Sequence, residues 1–159
     1  MHERASEFEE RAQNEFGFDV DVHEFPEGTK TAEDAANAIG CDVDQIASSL
    51  VFRTAEDDLV VVVTSGGNRV SEEKLATLRD LPETNVGMAD ADEIRKTVGW
   101  SIGGVPPFCH DTDLPVYLDE TLTEFETVWA AAGTPQAVFP IMPEKLGELS
   151  GATVADVSE

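Results

Sequence analysis

Apolar residues recur with two distinct periods along the chain, and the change of period marks its organisation. Ala5, Phe8, Ala12 and Phe16 fall at spacings of three and four, the stripe of an amphipathic helix over 3–16 packed on one side. Phe18, Val20 and Val22 then alternate with polar neighbours, as in a half-buried strand. Thr31 followed by Asp34 predicts a capped helix with the small apolar face Ala32, Ala35, Ala36 and Ile39, ended by Gly40. Asp42 with Gln45 predicts a second short helix running through Ile46 toward Ser48.

From Leu50 onward the pattern is that of strands. Leu50-Val51-Phe52 and Leu59 to Val63 are β-branched or aromatic runs separated by Ala55-Glu56-Asp57-Asp58, which predicts a hairpin of buried strands. Ser65-Gly66-Gly67-Asn68 is a turn, Ser71 caps a helix carrying Leu75 and Leu78, a strand lies around Val86, and Asp90 with Glu93 opens a helix that ends near Gly99. Segments 115–119, 127–130 and 136–139 read as strands, and Pro143 sits in the first turn of a last helix through Leu146 and Leu149. Several strands follow one another too closely for crossover helices. The expected fold is therefore α+β, a single domain over 1–159 with a mixed, curled, partly open barrel-like sheet surrounded by short helices.

Composition narrows the possible functions. The 159 residues carry 33 Asp and Glu against 10 Lys and Arg, a formal net charge of -23. A nucleic-acid binder working through a basic surface, and DNA as a partner, are excluded on that balance. Lysine occurs only at 30, 74, 96 and 145, and the acidic residues are spread along the chain. Two readings of this acidity stand: a halophilic-type solvated surface whose self-repulsion is screened at high salt, or an acidic interaction surface. No apolar run approaches the ~18 residues of a membrane span, and the segment from Met1 lacks a signal-peptide core. A soluble, cytoplasmic protein is expected, with no membrane partner. Cys41 and Cys109 are too few for a zinc ligand set, so no metal is implied; no organic cofactor is expected either.

The segment 100–108, Trp-Ser-Ile-Gly-Gly-Val-Pro-Pro-Phe, carries the clearest chemistry. Gly103 and Gly104 let backbone approach a ligand, while Pro106 and Pro107 stiffen the turn, so main-chain groups could polarise a carbonyl. A tight structural turn is the alternative. His110 lies just beyond and has the ordinary titration range of an acid or base, yet nothing in the sequence orients it. Cys109 reads as packing. Six of the ten basic residues lie between 53 and 96, namely Arg53, Arg69, Lys74, Arg79, Arg95 and Lys96. They could contact terminal phosphates, although pairing with nearby acids explains most of them.

Taken together, Thr31 to Ala36, Gln45 to Phe52, Val60 to Val63 followed by Asn68-Arg69-Val70, the Gly-Gly-Val-Pro-Pro-Phe loop and Pro115 to Asp119 resemble the YbaK/EbsC family. The resemblance covers about 20–153. It implies the fold of the prolyl-tRNA-synthetase-associated editing domain and hydrolysis of mischarged aminoacyl-tRNA, as in Cys-tRNA(Pro) deacylase. It also implies the acceptor end of aminoacyl-tRNA as partner, with an aminoacyl-tRNA synthetase as a further one.

The chain departs from this family twice. Ser48 stands where the resemblance places a lysine, and the strand Gln136-Ala137-Val138-Phe139 lacks the acidic residue expected there. The expected reacting groups are thus Ser48, the backbone of Gly103 and Gly104, and secondarily His110. Expected substrate contacts are Thr31, Ser49, Ser65, Asn68, Arg69, Val105, Pro106, Pro107 and Gly133, the last by resemblance. Ser48 and Ser49 could instead simply end the second short helix. The leading expectation is a small amino acid released from mischarged tRNA, for example on tRNA(Pro). Its rival is a non-catalytic module that keeps the pocket and binds an aminoacyl or nucleotide-like ligand or a protein.

Overall fold

A computed structural model describes residues 2–25, 31–54 and 58–159. The turn expected at 55–57 and Lys30 lie outside the described residues. Most predicted helices form where their caps predict them. Helix α1 (Glu3–Phe16) buries Ala5, Phe8 and Ala12, whereas Phe16 stays partly exposed at the end where Gly17 turns the chain. Helix α2 (Ala32–Ile39) is capped by the Thr31 hydroxyl, which accepts from the Asp34 N–H at 3.0 Å. Ser71 caps α3 (Glu72–Leu78), and Asp90 forms a capping box with Glu93 at α4 (Ala91–Glu93), which continues as a π-helical turn over Ile94–Val98. Pro143 opens α5 (Pro143–Ser150).

The strands are β1 (His23–Glu24), β2 (Ile46–Thr54), β3 (Asp58–Ser65), β4 (Gly87–Met88), β5 (Val116–Asp119), β6 (Val128–Ala131), β7 (Ala137–Ile141) and β8 (Thr153–Ala155). They form one mixed sheet in the order β1-β7-β6-β2-β3-β5-β8, with β4 pairing with β2 off that path. The sheet curls without closing. The β2–β3 hairpin is antiparallel with Ser48 opposite Thr64 and Ser49 opposite Val63, while β2–β6, β3–β5 and β5–β8 are parallel.

Side chains along β2 and β3 alternate between the two faces, as a pleated backbone requires. Ala47, Val51, Val61 and Val63 join the main core with Phe8, Trp100, Phe108 and Phe139. Phe52, Val60 and Val62 pack on the other face with Leu75 of α3 and Tyr117. Ile46 packs under α2 against Ala35 and Ala36.

Three expectations are corrected. Asp42 and Gln45 do cap a turn, the Asp42 N–H donating to Gln45 Oε1 at 3.0 Å, but it is a single 3-10 turn over Val43–Gln45. Residues 46–48 are strand, not helix, because pairing with both β3 and β6 outweighs the weak local preference of Ala47 and Ser48. Ser48 and Ser49 therefore do not end a helix. Residues 18–22 form no strand, although Val20 is buried, and pairing begins only at β1 against β7.

Candidate functional site

The sheet opens at β2. Strand β6 pairs with β2 only at Ile46 and Ala47, and β4 pairs with it only at Phe52 and Arg53, where the Ala89 N–H also reaches the Val51 carbonyl at 3.1 Å. Between these two partners lies a cavity of about 250 Å³, bordered by β2 from Ile46 to Val51. One wall is α2, through Thr31, Ala32 and Ala35. The opposite wall is the loop after Trp100, through Ile102, Gly103 and Val105. Trp129, Ala131, Pro135, Ala137 and Val138 close the far end, and Met88 and Ile94 the near one. Among the described lining residues none carries a charge.

Sequence reasoning brings Thr31, Ser48, Ser49, Gly103 and Val105 to this cavity, and the structure places all five on its surface. By strand alternation Ser48 faces the side of Ile46 and α2, and Ser49 the side of Ala47 and Val51. Ser49 Oγ is buried and, among the described residues, has no hydrogen-bond partner. Gly103 is exposed with φ +86°, in the left-handed region that favours glycine. Gly104 serves the loop differently. A Cβ there would stand 2.7 Å from the Thr134 Cα, so its small size lets the loop seat against the Thr134 backbone.

The loop is locked from beneath. Trp100 Nε1–H donates to the Cys109 carbonyl at 2.9 Å, and the Gly104 N–H donates to the Ser101 carbonyl at 3.0 Å. His110 Nε2 lies 2.8 Å from the Pro106 carbonyl. A carbonyl only accepts, so that nitrogen carries the proton. Burial, the largest influence, pushes the imidazole pKa below its ordinary 6.5, and the Pro106 bond only partly opposes it. His110 thus braces the loop from a separate cavity, away from Ser48 and Ser49. Pro106 and Pro107 are buried in the same brace. Burial pushes the Cys109 thiol up to about 12, which leaves it protonated and fits its reading as packing.

Other expected contacts lie elsewhere. Ser65 and Asn68 converge on the buried carboxyl group of Asp119: the Ser65 N–H donates at 3.1 Å and Asn68 Nδ2 at 3.0 Å, joined by the Thr64 hydroxyl at 3.3 Å and the Thr121 N–H at 3.0 Å. Ser65 Oγ donates to the Asp44 carbonyl at 2.7 Å. This knot fixes the 65–68 turn, whose Gly66 packs so tightly on Val43, Ala32 and Ile46 that a Cβ there would lie 2.5 Å from the Val43 carbonyl. The turn therefore supports the α2 wall without lining the cavity. Arg69 is held there by its main chain, its carbonyl accepting from the Glu159 N–H at 2.8 Å. Gly133, at φ +95°, faces Trp100 and the Arg4 carbonyl.

Among the described residues, three of the six basic residues between 53 and 96 pair with acids, but only Arg95 does so within its own helix. Arg53 reaches Glu93, Lys74 meets Asp156 at 2.8 Å, and Arg95 meets Asp92 at 3.2 Å. Sequence reasoning missed the apolar walls, Ile94, Ile102 and Trp129 above all, which only the crossing of β6 and the 100–105 segment assembles.

Comparison with known proteins decides the family. The profile of the aminoacyl-tRNA editing domain matches residues 26–149. The chain belongs to this family. It is 34% identical over 134 residues to YwhH of Bacillus subtilis, a protein without assigned function, covering 84% of this chain and 83% of that one. It is 24% identical over 128 residues to EbsC of Enterococcus faecalis, a candidate Cys-tRNA(Pro)/Cys-tRNA(Cys) deacylase, covering 80% and 77%. A proline–tRNA ligase of Sulfurihydrogenibium matches at 29% over 103 residues, 65% of this chain but 17% of the ligase. A solved structure described as a candidate trans-editing enzyme for prolyl tRNA synthetase superposes with a TM-score of 0.92 at 39% identity, over 100% of this chain and 99% of that one. The mixed, unclosed sheet with short helices is shared with that solved structure.

Proposed function

We propose that this protein hydrolyses the ester of mischarged aminoacyl-tRNA carrying a small, uncharged amino acid, with the aminoacyl group in the cavity at the open stretch of β2. The observation that carries this reading is a cavity of about 250 Å³ that, among the described residues, is uncharged and holds a buried serine hydroxyl without a partner, in a chain of an editing family. In the reaction a water oxygen adds to the ester carbonyl, and the tetrahedral oxyanion collapses with loss of the ribose oxygen. That oxygen takes the proton, leaving free amino acid and tRNA. One β2 hydroxyl, that of Ser48 or of Ser49, orients the water, the exposed main chain at Gly103 faces the developing oxyanion, and the neighbouring ribose hydroxyl relays the proton. A serine without a base is a poor nucleophile, so direct attack by water is the economical route. Ser48, in place of the lysine that the resemblance suggests, leaves charge stabilisation to dipoles.

The rival, a binding module, draws on one observation: among the described lining residues none is titratable. Deacylation of a panel of mischarged tRNAs separates the two readings. We read the acidity as salt adaptation and therefore set the assay in molar KCl, where screening falls to about 3 Å and repulsion between two polyanions fades. Release of a small amino acid above the buffer rate, raised further by Ser48→Lys and lowered by Ser48→Ala, supports hydrolysis. No release by any of the three across the panel refutes it and leaves the binding module.

A further inference from the structure

The unpaired stretch of β2 has a donor–acceptor pattern of its own. In an antiparallel pair, alternate residues direct both main-chain groups at the partner and the residues between direct both away. The Ile46 carbonyl accepts from the Gly66 N–H at the β3 side, whereas the Val51 carbonyl accepts from Ala89 on the other side. Even-numbered residues of β2 therefore face β3, and Ala47, Ser49 and Val51 face away from it. Ala47 is taken up by β6 and the Val51 carbonyl by Ala89. Ser49 falls in the gap, so its N–H and its C=O both point toward the cavity, and among the described residues neither has a ladder partner.

An aminoacyl ester matches that pair. Its α-ammonium and its ester carbonyl have the same spacing as the N–H and C=O of one residue in a strand. We infer that the aminoacyl group docks as a one-residue antiparallel strand on Ser49. The Ser49 N–H donates to the ester carbonyl, and the Ser49 carbonyl accepts from the α-ammonium. The inference rests on the editing reading and adds to it the residue that orients the ester, and by main chain, not side chain. The amide that binds the ground-state carbonyl is also placed to follow the oxygen as charge develops on it. Side chains of a hydrogen-bonded pair lie on the same face of a sheet about 5 Å apart. The amino-acid side chain then lies beside Ser49 Oγ, toward Ile94 and Val105, where the space is small and otherwise apolar.

The test uses two stable amide analogues, 3′-alanylamido-3′-deoxyadenosine and its propionyl counterpart, which lacks only the ammonium. Affinities are measured by calorimetry in molar KCl, where unspecific attraction of a cation to an acidic protein is screened, and the Ser49 amide is followed by NMR. The alanyl compound should bind at least tenfold more tightly, shift the Ser49 amide resonance, and keep its advantage over the propionyl compound in Ser49→Ala, which retains the main chain. Equal binding of both compounds with other cavity amides shifting would overturn the inference and leave the editing reading intact. Loss of the advantage in Ser49→Ala would assign recognition to the hydroxyl and overturn it too. Failure of both compounds to bind at all would overturn both readings.

Discussion

Two buried polar clusters in this molecule have opposite states. At Asp119 four donors, from Thr64, Ser65, Asn68 and Thr121, satisfy one fully buried carboxyl group. At Ser49, among the described residues, a buried hydroxyl has no partner, and its main chain faces an opening in the sheet. From sequence Ser65 and Asn68 of the first and Ser49 of the second were all candidate substrate contacts, being small polar residues after or within a strand. The difference teaches how to separate them. A saturated network rigidifies the fold and has nothing left to offer a ligand, whereas an unsatisfied group costs stability unless a ligand completes it.

The comparison can be broken from the saturated side first. Asp119→Ala should leave its donors buried and unmet, costing about 3 kcal/mol or more in urea unfolding. A smaller loss would mean that water replaces the carboxyl group and that the knot is less closed than it looks. Gly104→Val should cost about 1–3 kcal/mol, because overpacking against Thr134 must push the loop off its seat. Binding of an aminoacyl-adenosine analogue should fall with it, so loop and cavity fail together and not separately.

Acid tests the brace beneath the loop. Burial holds the His110 pKa below 6.5, so the unfolded chain takes up that proton first. The contribution is complete above pH 6.5 and is lost as pH falls through the lower folded value. Unfolding free energy should therefore drop as pH falls below about 6.5, and His110→Gln, which can still donate to Pro106, should flatten that slope. The smallest effect is expected at the cavity. Ser49→Ala removes an unpartnered hydroxyl and should change stability by less than about 1 kcal/mol, with a gain as acceptable as a loss.

The local signals in the sequence were sound where one residue acts on its own neighbours. Thr31, Ser71, Asp90 with Glu93, and Pro143 each start a helix where expected, and the β2–β3 hairpin follows from its β-branched runs. What escaped is decided at long range. Residues 46–48 became strand through β3 and β6, and the two- and three-residue strands β1 and β8 exist only because β7 and β5 lie beside them. The same holds at the site. Asn68 meets Asp119 across 51 positions, and Gly133 meets Arg4 and Trp100, so neither residue could be kept from the cavity list by inspecting its own turn. Ser49 did leave a trace. Two serines interrupt an otherwise apolar strand between Ile46 and Phe52, and a polar group buried in such a strand needs a partner, which Ser49 Oγ lacks among the described residues.

The most direct test is specific activity per folded molecule for two single variants, Ser49→Ala and Asn68→Ala, on a mischarged tRNA that the natural protein deacylates. Ser49→Ala should keep its unfolding midpoint and lose about tenfold in turnover, while Asn68→Ala should lower the midpoint and turn over normally under conditions where it is folded. The reverse pattern, with turnover lost at Asn68 and stability lost at Ser49, would move the site to the Asp119 knot and contradict the account.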